Sequence, residues 1–151
     1  MKLLKGKTLA NNILKQVKKD IAVLPFTPGF GAILVGDNPS SHLYIALKEK
    51  TAARLGVVFK KRILPASASA NEVITAICAF NNNASVHGIL LQMPLPSHLD
   101  APELIGYIDP AKDVDGFLPS SGIVSPTVQS IIALLKSTIK PLEGKSAALL
   151  V

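Results

Sequence analysis

FGAILVGDNPSSHLYIALKEKTAARLG, residues 30–56, contains a strand, a turn and a helix in immediate succession. Residues 30–36 are a short apolar run bounded by glycine, too brief for a helix and rich enough in Ile, Leu and Val for a buried strand. Asp37, Asn38 and Pro39 then break the pattern with turn chemistry. The helix that follows runs to about Leu55 and stops at Gly56, a residue suited to a helix C-terminus. Because the strand is apolar at successive positions rather than alternate ones, both of its faces need cover. That requirement is characteristic of a parallel sheet sandwiched between helices.

The flanking sequence repeats this alternation. TLANNILKQVKKDIAVL, residues 8–24, offers Thr8 as an N-cap and places Leu9, Ile13, Leu14, Val17, Ile21 and Leu24 at helical spacing before PFTPG ends it. VVFKKRILP, residues 57–65, reads as a second strand. Ser69 and Glu72 form a capping-box pattern ahead of Val73, Ile74, Ile77 and Phe80, predicting a third helix. HGILLQMP, residues 87–94, is a third strand. Asp100, Pro102 and Glu103 open a short helix expected to reach about Ile108, and DPAKDVDGFLPSSG, residues 109–122, is a polar loop. Ser125 and Pro126 start a last helix carrying Val128, Ile131, Ile132, Leu135 and Ile139, and GKSAALLV, residues 144–151, reads as a further strand. The expected class is α/β, a three-layer α-β-α arrangement with a mostly parallel sheet. An apolar strand at the very end leaves an edge and two faces to cover, so the expectation is a chain cut at a domain boundary, ending on the first strand of another βαβ unit.

Composition sets limits. With 151 residues, 48% of them hydrophobic and no Trp, the chain fits one ordinary domain with a substantial core. No apolar run approaches the roughly 20 residues of a membrane span, and the basic N-terminus lacks the apolar core of a secretory signal. Cys78 stands alone, without an internal disulfide partner or metal-ligand spacing. These features lead us to expect a cytoplasmic, soluble protein with no membrane partner and no metal. The net charge of +6 is uneven: residues 1–62 hold 12 Lys and Arg against Asp20, Asp37 and Glu49. Such a basic half suits nucleic acid, an acidic small molecule or a merely solvated helix face. The basic residues are not interleaved with aromatics as a single-strand nucleic-acid platform requires, so no nucleic-acid partner is expected.

In open parallel sheets the site lies beyond the carboxyl ends of the strands. Segments there offer Ser41, Tyr44, Lys48 and Gln92, and the polar loop adds Asp113 and Asp115. Ser41, Tyr44 and Lys48 share one helix face. A lysine held among hydrogen-bonding groups and low-dielectric walls loses basicity and can move protons. Each residue also has a plainer reading: Lys48 as solvated surface, Tyr44 as a core-edge aromatic, Asp113 and Asp115 as turn formers. Gln92 resists one, since a polar side chain ending a buried strand needs a partner. His42, His87 and His98 share no spacing and read as surface or turn residues. There is no G-x-G-x-x-G, Walker loop, zinc pattern or G-x-S-x-G elbow; GFG at 29–31 precedes a strand instead of following one.

Together VGDNPSSHLYIALKEKTAARLGV, GILLQMPLPSHLD and IDPAKDVDGF resemble the methylenetetrahydrofolate dehydrogenase/methenyltetrahydrofolate cyclohydrolase family, in its N-terminal, folate-binding catalytic domain. The S-x-x-Y-x-x-x-K helix, the G-x-x-x-Q-x-P-L-P strand end and the K-D-V-D-G loop occur in that order. The resemblance implies oxidation of 5,10-methylenetetrahydrofolate with NADP and hydrolysis of the methenyl product to 10-formyltetrahydrofolate. The chain by itself would carry out at most the second step. It implies Lys48 as the catalytic lysine, Gln92 as the glutamine that sets its protonation, and Tyr44 as the tyrosine against the aminobenzoate ring. Ser41 and Asp115 complete the substrate site, Asp115 on the pterin. It divides the chain into a folate-binding catalytic domain at 1–124, a connecting helix at 125–140 and, at 141–151, the first strand of a missing dinucleotide-binding domain, the start of a truncated Rossmann-type second domain. No cofactor-binding residue is then expected in this chain, and a homodimer would form through the missing domain. Two departures stand out. The stretch after KDVDGF is shorter than is usual in the family, and SPTVQS, residues 125–130, replaces PCTP-x-G, with Pro126 where the cysteine belongs. The altered segment leaves a second reading, a catalytically inactive folate-binding or partner-binding domain.

Overall fold

A computed structural model describes residues 4–138 together with residues 141, 143, 144, 146 and 148. The first strand, β1 (Gly29–Val35), lies at the centre of a three-stranded sheet, with β2 (Val58–Leu64) on one side and β3 (Gly88–Leu91) on the other, all parallel. Its register sets Phe30 beside Phe59 and Gly88, and Ile33 beside Arg62 and Leu91. Period-2 alternation then assigns each side chain to a layer. Ile33 and Val35, with Ile89 and Leu91, face Val73, Ile77 and Phe80 of α3 (Ala70–Asn81) and Leu104 of α4 (Ala101–Ile105). Ala32, Leu34 and Leu90 face the opposite way, onto Ile45 of α2 (Pro39–Leu55). This is the expected three-layer architecture. Burying each of these Ile and Leu side chains contributes about 1.5–3 kcal/mol, so the core is concentrated on the α3 face of β1 and β3.

Several local expectations change. The first helix, α1, spans Gly6–Ala22, with Lys5 at its N-cap and no side-chain cap; Thr8 lies inside the helix. Its first turn is exposed, so water can serve the free amides and no capping hydroxyl is required. β2 is not covered on both faces: Val58 and the run Lys61, Arg62, Ile63 are exposed. As an edge strand it carries Lys60, Lys61 and Arg62, charges of the kind that discourage pairing with another sheet. The helix opened by Asp100 ends at Ile105, not Ile108, because Tyr107 and Ile108 tighten onto Leu104 and Ile105 through i to i+3 bonds. The Ser69–Glu72 capping box forms as expected. The last helix, α5, spans Pro126–Lys136. Ile139 lies outside the described residues, as does the expected strand at 144–151, of which only Gly144, Ser146 and Ala148 are described. Among the described residues no helix is long and apolar enough to cross a membrane.

Lys112 fastens the polar loop to this frame. Its Nζ donates to the carbonyls of Phe80 (3.2 Å), Asn81 (2.6 Å) and Asn83 (3.1 Å), at and just beyond the end of α3. Lys112→Met keeps the aliphatic stem and removes all three bonds. It is expected to cost about 1–3 kcal/mol, read as a lower denaturation midpoint with unchanged slope; an unchanged midpoint would refute the anchoring role.

Candidate active site

The turn after β1 aims α2 across the carboxyl end of the sheet. Asn38 accepts the Ser41 N–H at 3.1 Å, and Pro39 occupies the first helical turn, where its missing N–H costs nothing. From there the helix brings Lys48 to the end of β3. Lys48 Nζ donates to Gln92 Oε1 at 3.0 Å. Gln92, 8% exposed, also donates from Nε2 to its neighbour's carbonyl, Met93 O, at 2.7 Å. That second bond fixes which way the amide points: its oxygen faces the lysine and its nitrogen faces the backbone. The Met93–Pro94 peptide is cis.

Asp115 approaches from the other side. The 110–118 segment runs alongside β3, with Asp113 bridged in parallel to Ile89. Among the described residues the only ion pair is the exposed Lys61–Glu49 contact, so no oxygen of Asp115 lies within 4 Å of Lys48 Nζ. The two charges nevertheless act on each other. Burial pushes the Lys48 ammonium below its ordinary pKa, and Asp115 partly restores it. Burial raises the Asp115 carboxyl; Lys48 lowers it, and Asp113 raises it further. Each group is thus held toward neutrality by its surroundings and toward charge by its partner across a gap.

That gap opens on an apolar slot of about 480 Å³. Tyr44, Leu47, Lys48, Thr51 and Leu55 line one wall, at the spacing of one α2 face, and Val114, Asp115 and Pro126 contribute to the other. Tyr44 is 58% exposed, presenting its ring to the slot without being buried in the core. An open apolar cleft with one amine and one carboxyl facing each other suits a flat, heteroaromatic ligand with a polar edge.

The structure therefore gathers Lys48, Gln92, Tyr44 and Asp115 around one space and sets two expected residues apart. Ser41 is 1% exposed and sits beneath the helix, its hydroxyl 3.4 Å from Met93 O. Its contact is with the strand end. Asp113 is fully buried, its carboxylate spent on backbone amides of its own loop. Leu47, Thr51, Leu55 and Val114 are not among the expected site residues, and Pro126 enters the expectation only as the replacement for the family's cysteine. Thr51 and Leu55 continue the Tyr44–Lys48 face at i+3 and i+7 from Lys48, a signal that was in the sequence, whereas Pro126 reaches the slot only through tertiary folding. His87 and His98 make structural contacts: His87 Nδ1 accepts the Gly29 N–H at 3.0 Å, and His98 Nε2 lies 2.9 Å from Ala68 O.

The profile of the family described as tetrahydrofolate dehydrogenase/cyclohydrolase, catalytic domain, matches residues 4–115. The chain belongs to this family. Among curated relatives, "Bifunctional protein FolD" of Chlamydia trachomatis is 37% identical over 158 residues, covering 98% of this chain and 55% of its own length. The protein of the same name from Methanosarcina mazei is 37% identical over 161 residues, covering 98% and 56%. The fold agrees with solved members. A bifunctional FolD methylenetetrahydrofolate dehydrogenase/cyclohydrolase from Campylobacter jejuni superposes with a TM-score of 0.92 at 34% identity, over 96% of this chain and 56% of that one. The Trypanosoma brucei enzyme, solved with NADP cofactor and inhibitor, gives 0.91 at 28% identity, over 95% and 54%. The chain spans about half the length of the curated relatives it matches. The family profile covers Lys48, Gln92 and Asp115.

Proposed function

We propose that this site hydrolyses 5,10-methenyltetrahydrofolate to 10-formyltetrahydrofolate, and that the whole protein also oxidises 5,10-methylenetetrahydrofolate with NADP, serving one-carbon metabolism and hence purine biosynthesis. The observation that carries the reading is Lys48: an amine of lowered basicity, oriented by Gln92 and facing Asp115 across an unbridged gap in an apolar slot. In this reading the folate lies along the slot, its aminobenzoate ring on Tyr44 and its pterin edge on Asp115. Lys48 takes a proton from water as the hydroxyl adds to the cationic methenyl carbon. The resulting ammonium returns a proton to the ring nitrogen as the carbon–nitrogen bond opens, and the carbinol hydroxyl releases its own proton to water, leaving the formyl group on the other nitrogen. Tyr44, Lys48 and Gln92 are the catalytic set. Tyr44 and Asp115 bind substrate, and Ser41 supports them from beneath.

The described residues do not fit NADP. The one strand–turn–helix unit at the site closes its own helix N-terminus: Pro39 lacks an N–H, and the Ser41 amide is taken by Asn38. No hydride step is therefore placed on these residues, and the dehydrogenase reaction belongs to the whole-protein proposal, together with any homodimer. We take residues 1–124 as the catalytic domain, the segment 125–140, which carries α5, as the connection and 141–151 as the entry to a dinucleotide-binding domain. The half-buried Cys78, a free thiol, suits a reducing compartment, and we place the protein in the cytoplasm. A second reading, folate binding without catalysis, is favoured by Pro126 in the slot wall where the family carries a cysteine.

The test is loss of methenyltetrahydrofolate absorbance on adding the protein. Saturable hydrolysis above the buffer rate is expected. Binding of the folate without any excess hydrolysis would overturn the catalytic reading in favour of the second, and absence of binding would overturn both.

A further inference from the structure

The Asp113 carboxylate stands out because it is fully buried and yet touches no ligand space. Its Oδ1 accepts the N–H groups of Asp115 (3.2 Å) and Gly116 (3.0 Å), and its Oδ2 accepts that of Leu118 at 2.8 Å. Three amides from three positions of one loop thus converge on one side chain. The loop itself is irregular: Gly116 adopts a φ of +64°, and a Cβ there would lie 2.3 Å from the Ile123 carbonyl oxygen. With so little regular structure to hold it, the direction in which residue 115 points depends on what collects its amides. On the strand side Asp113 is itself fixed, through its bridge to Ile89 and through Lys112, clamped to the end of α3.

We propose that Asp113 is the positioning residue of the site, the group that holds the Asp115 carboxyl opposite Lys48 and keeps it desolvated there. The proposal rests on the folate reading for the ligand that Asp115 meets, but the mechanical link from Asp113 to Asp115 stands independently of it. A charged acceptor suits the task because it can serve several amides at once, and charge-assisted bonds are about twice as strong as neutral ones. An asparagine offers one oxygen and turns an NH2 toward a donor, so it cannot reproduce the pattern. The charged groups acting on Asp115 are Lys48, from α2, and Asp113, from its own loop. Freed from its anchor, Asp115 would gain water and lose a like-charged neighbour, and both changes lower its pKa.

Two measurements test this on the intact chain. The first is free of folate: the Asp115 side-chain carboxyl is titrated by carbon NMR in the wild type and in Asp113→Asn. The apparent pKa of Asp115 is expected to fall toward the ordinary carboxylate value in the variant; an unmoved titration overturns the proposal, whatever the protein binds. The second is a double-mutant cycle on methenyltetrahydrofolate hydrolysis. Asp113→Asn is expected to lower kcat/KM by roughly 10- to 100-fold, the penalty of a misplaced binding group. Combined with Asp115→Asn, it should add nothing to the loss caused by Asp115→Asn alone. Losses that multiply would mean that Asp113 acts on the fold at large and not through Asp115, overturning the proposal. If the wild type neither binds nor hydrolyses the folate, the folate reading fails, while an unmoved NMR titration still overturns the role of Asp113. Should Asp113→Asn not fold, Asp113→Ser, which keeps a weaker local acceptor, is read by the same criteria.

Discussion

Exchanging Lys48 for methionine is expected to reduce methenyltetrahydrofolate hydrolysis by about 10²- to 10⁴-fold, the usual span for removal of a general base. Folding should be retained. Methionine matches the lysine stem in length and flexibility, and the side chain lies against an apolar wall shared with Leu47 and Thr51. What disappears is an ammonium that burial already disfavours, together with its bond to Gln92 Oε1. Because the neutral amine is the base, the wild-type rate should climb with pH and level off once pH passes the lowered pKa of Lys48. Asp115 works against that lowering. Asp115→Asn should therefore shift the onset of the plateau to lower pH, even as substrate affinity drops. Hydrolysis undiminished in Lys48→Met would remove the lysine from the mechanism; an unmoved plateau in Asp115→Asn would show that the two groups do not communicate across the gap.

How much of this could be read in advance depended on the range of the interactions involved. β1, its turn and α2 were legible because every signal is local: a glycine-bounded apolar run, the Asn38–Pro39 start and the Gly56 stop. The Ser69–Glu72 box was legible for the same reason. Lys48 and Gln92, 44 residues apart, could be placed together only because a parallel sheet sends the segment after β1 and the end of β3 to the same edge. Edge position itself is a long-range property. Nothing within residues 57–65 distinguishes a strand open on one side from a covered one except its three successive basic residues, and those had counted only toward net charge. Ser41 shows the converse limit. Helical spacing correctly put it on the face of Tyr44 and Lys48, but spacing says nothing about depth, and the structure sinks it out of reach. Lys112 reads as loop polarity because a bond to a carbonyl some 30 residues away leaves no trace in composition.

Gly29→Ala is expected to be the most damaging small substitution, costing about 3 kcal/mol or more, at the upper end of what overpacking does. For a chain of this size that is a fall in melting temperature of roughly 6–12 °C. A Cβ at Gly29 would sit 1.8 Å from the Ser85 carbonyl oxygen and 2.9 Å from its carbon, so backbone would have to move. The neighbouring backbone is tightly committed: His87 donates its N–H to Gly29 O at 2.8 Å while its ring accepts the Gly29 N–H. Gly31→Ala provides the control. Its Cβ would meet the Phe80 ring at 2.8 Å, and a side chain can tilt where a carbonyl cannot, so the loss should be clearly smaller. Equal losses would show that the Ser85 crossing is not what requires glycine. The damage should also reach the site. Residues 85–87 lead directly into β3, whose register on β1 delivers Gln92, held by the Gln92 N–H to Ile33 O bond at 2.8 Å. A strand pushed away at Gly29 carries Gln92 with it, and Lys48 then loses the partner that orients its amine. The GFG of residues 29–31, uninformative as a nucleotide motif, is thus where close backbone passage upstream sets geometry downstream, and Gly29→Ala should lower hydrolysis even at temperatures where the protein remains folded.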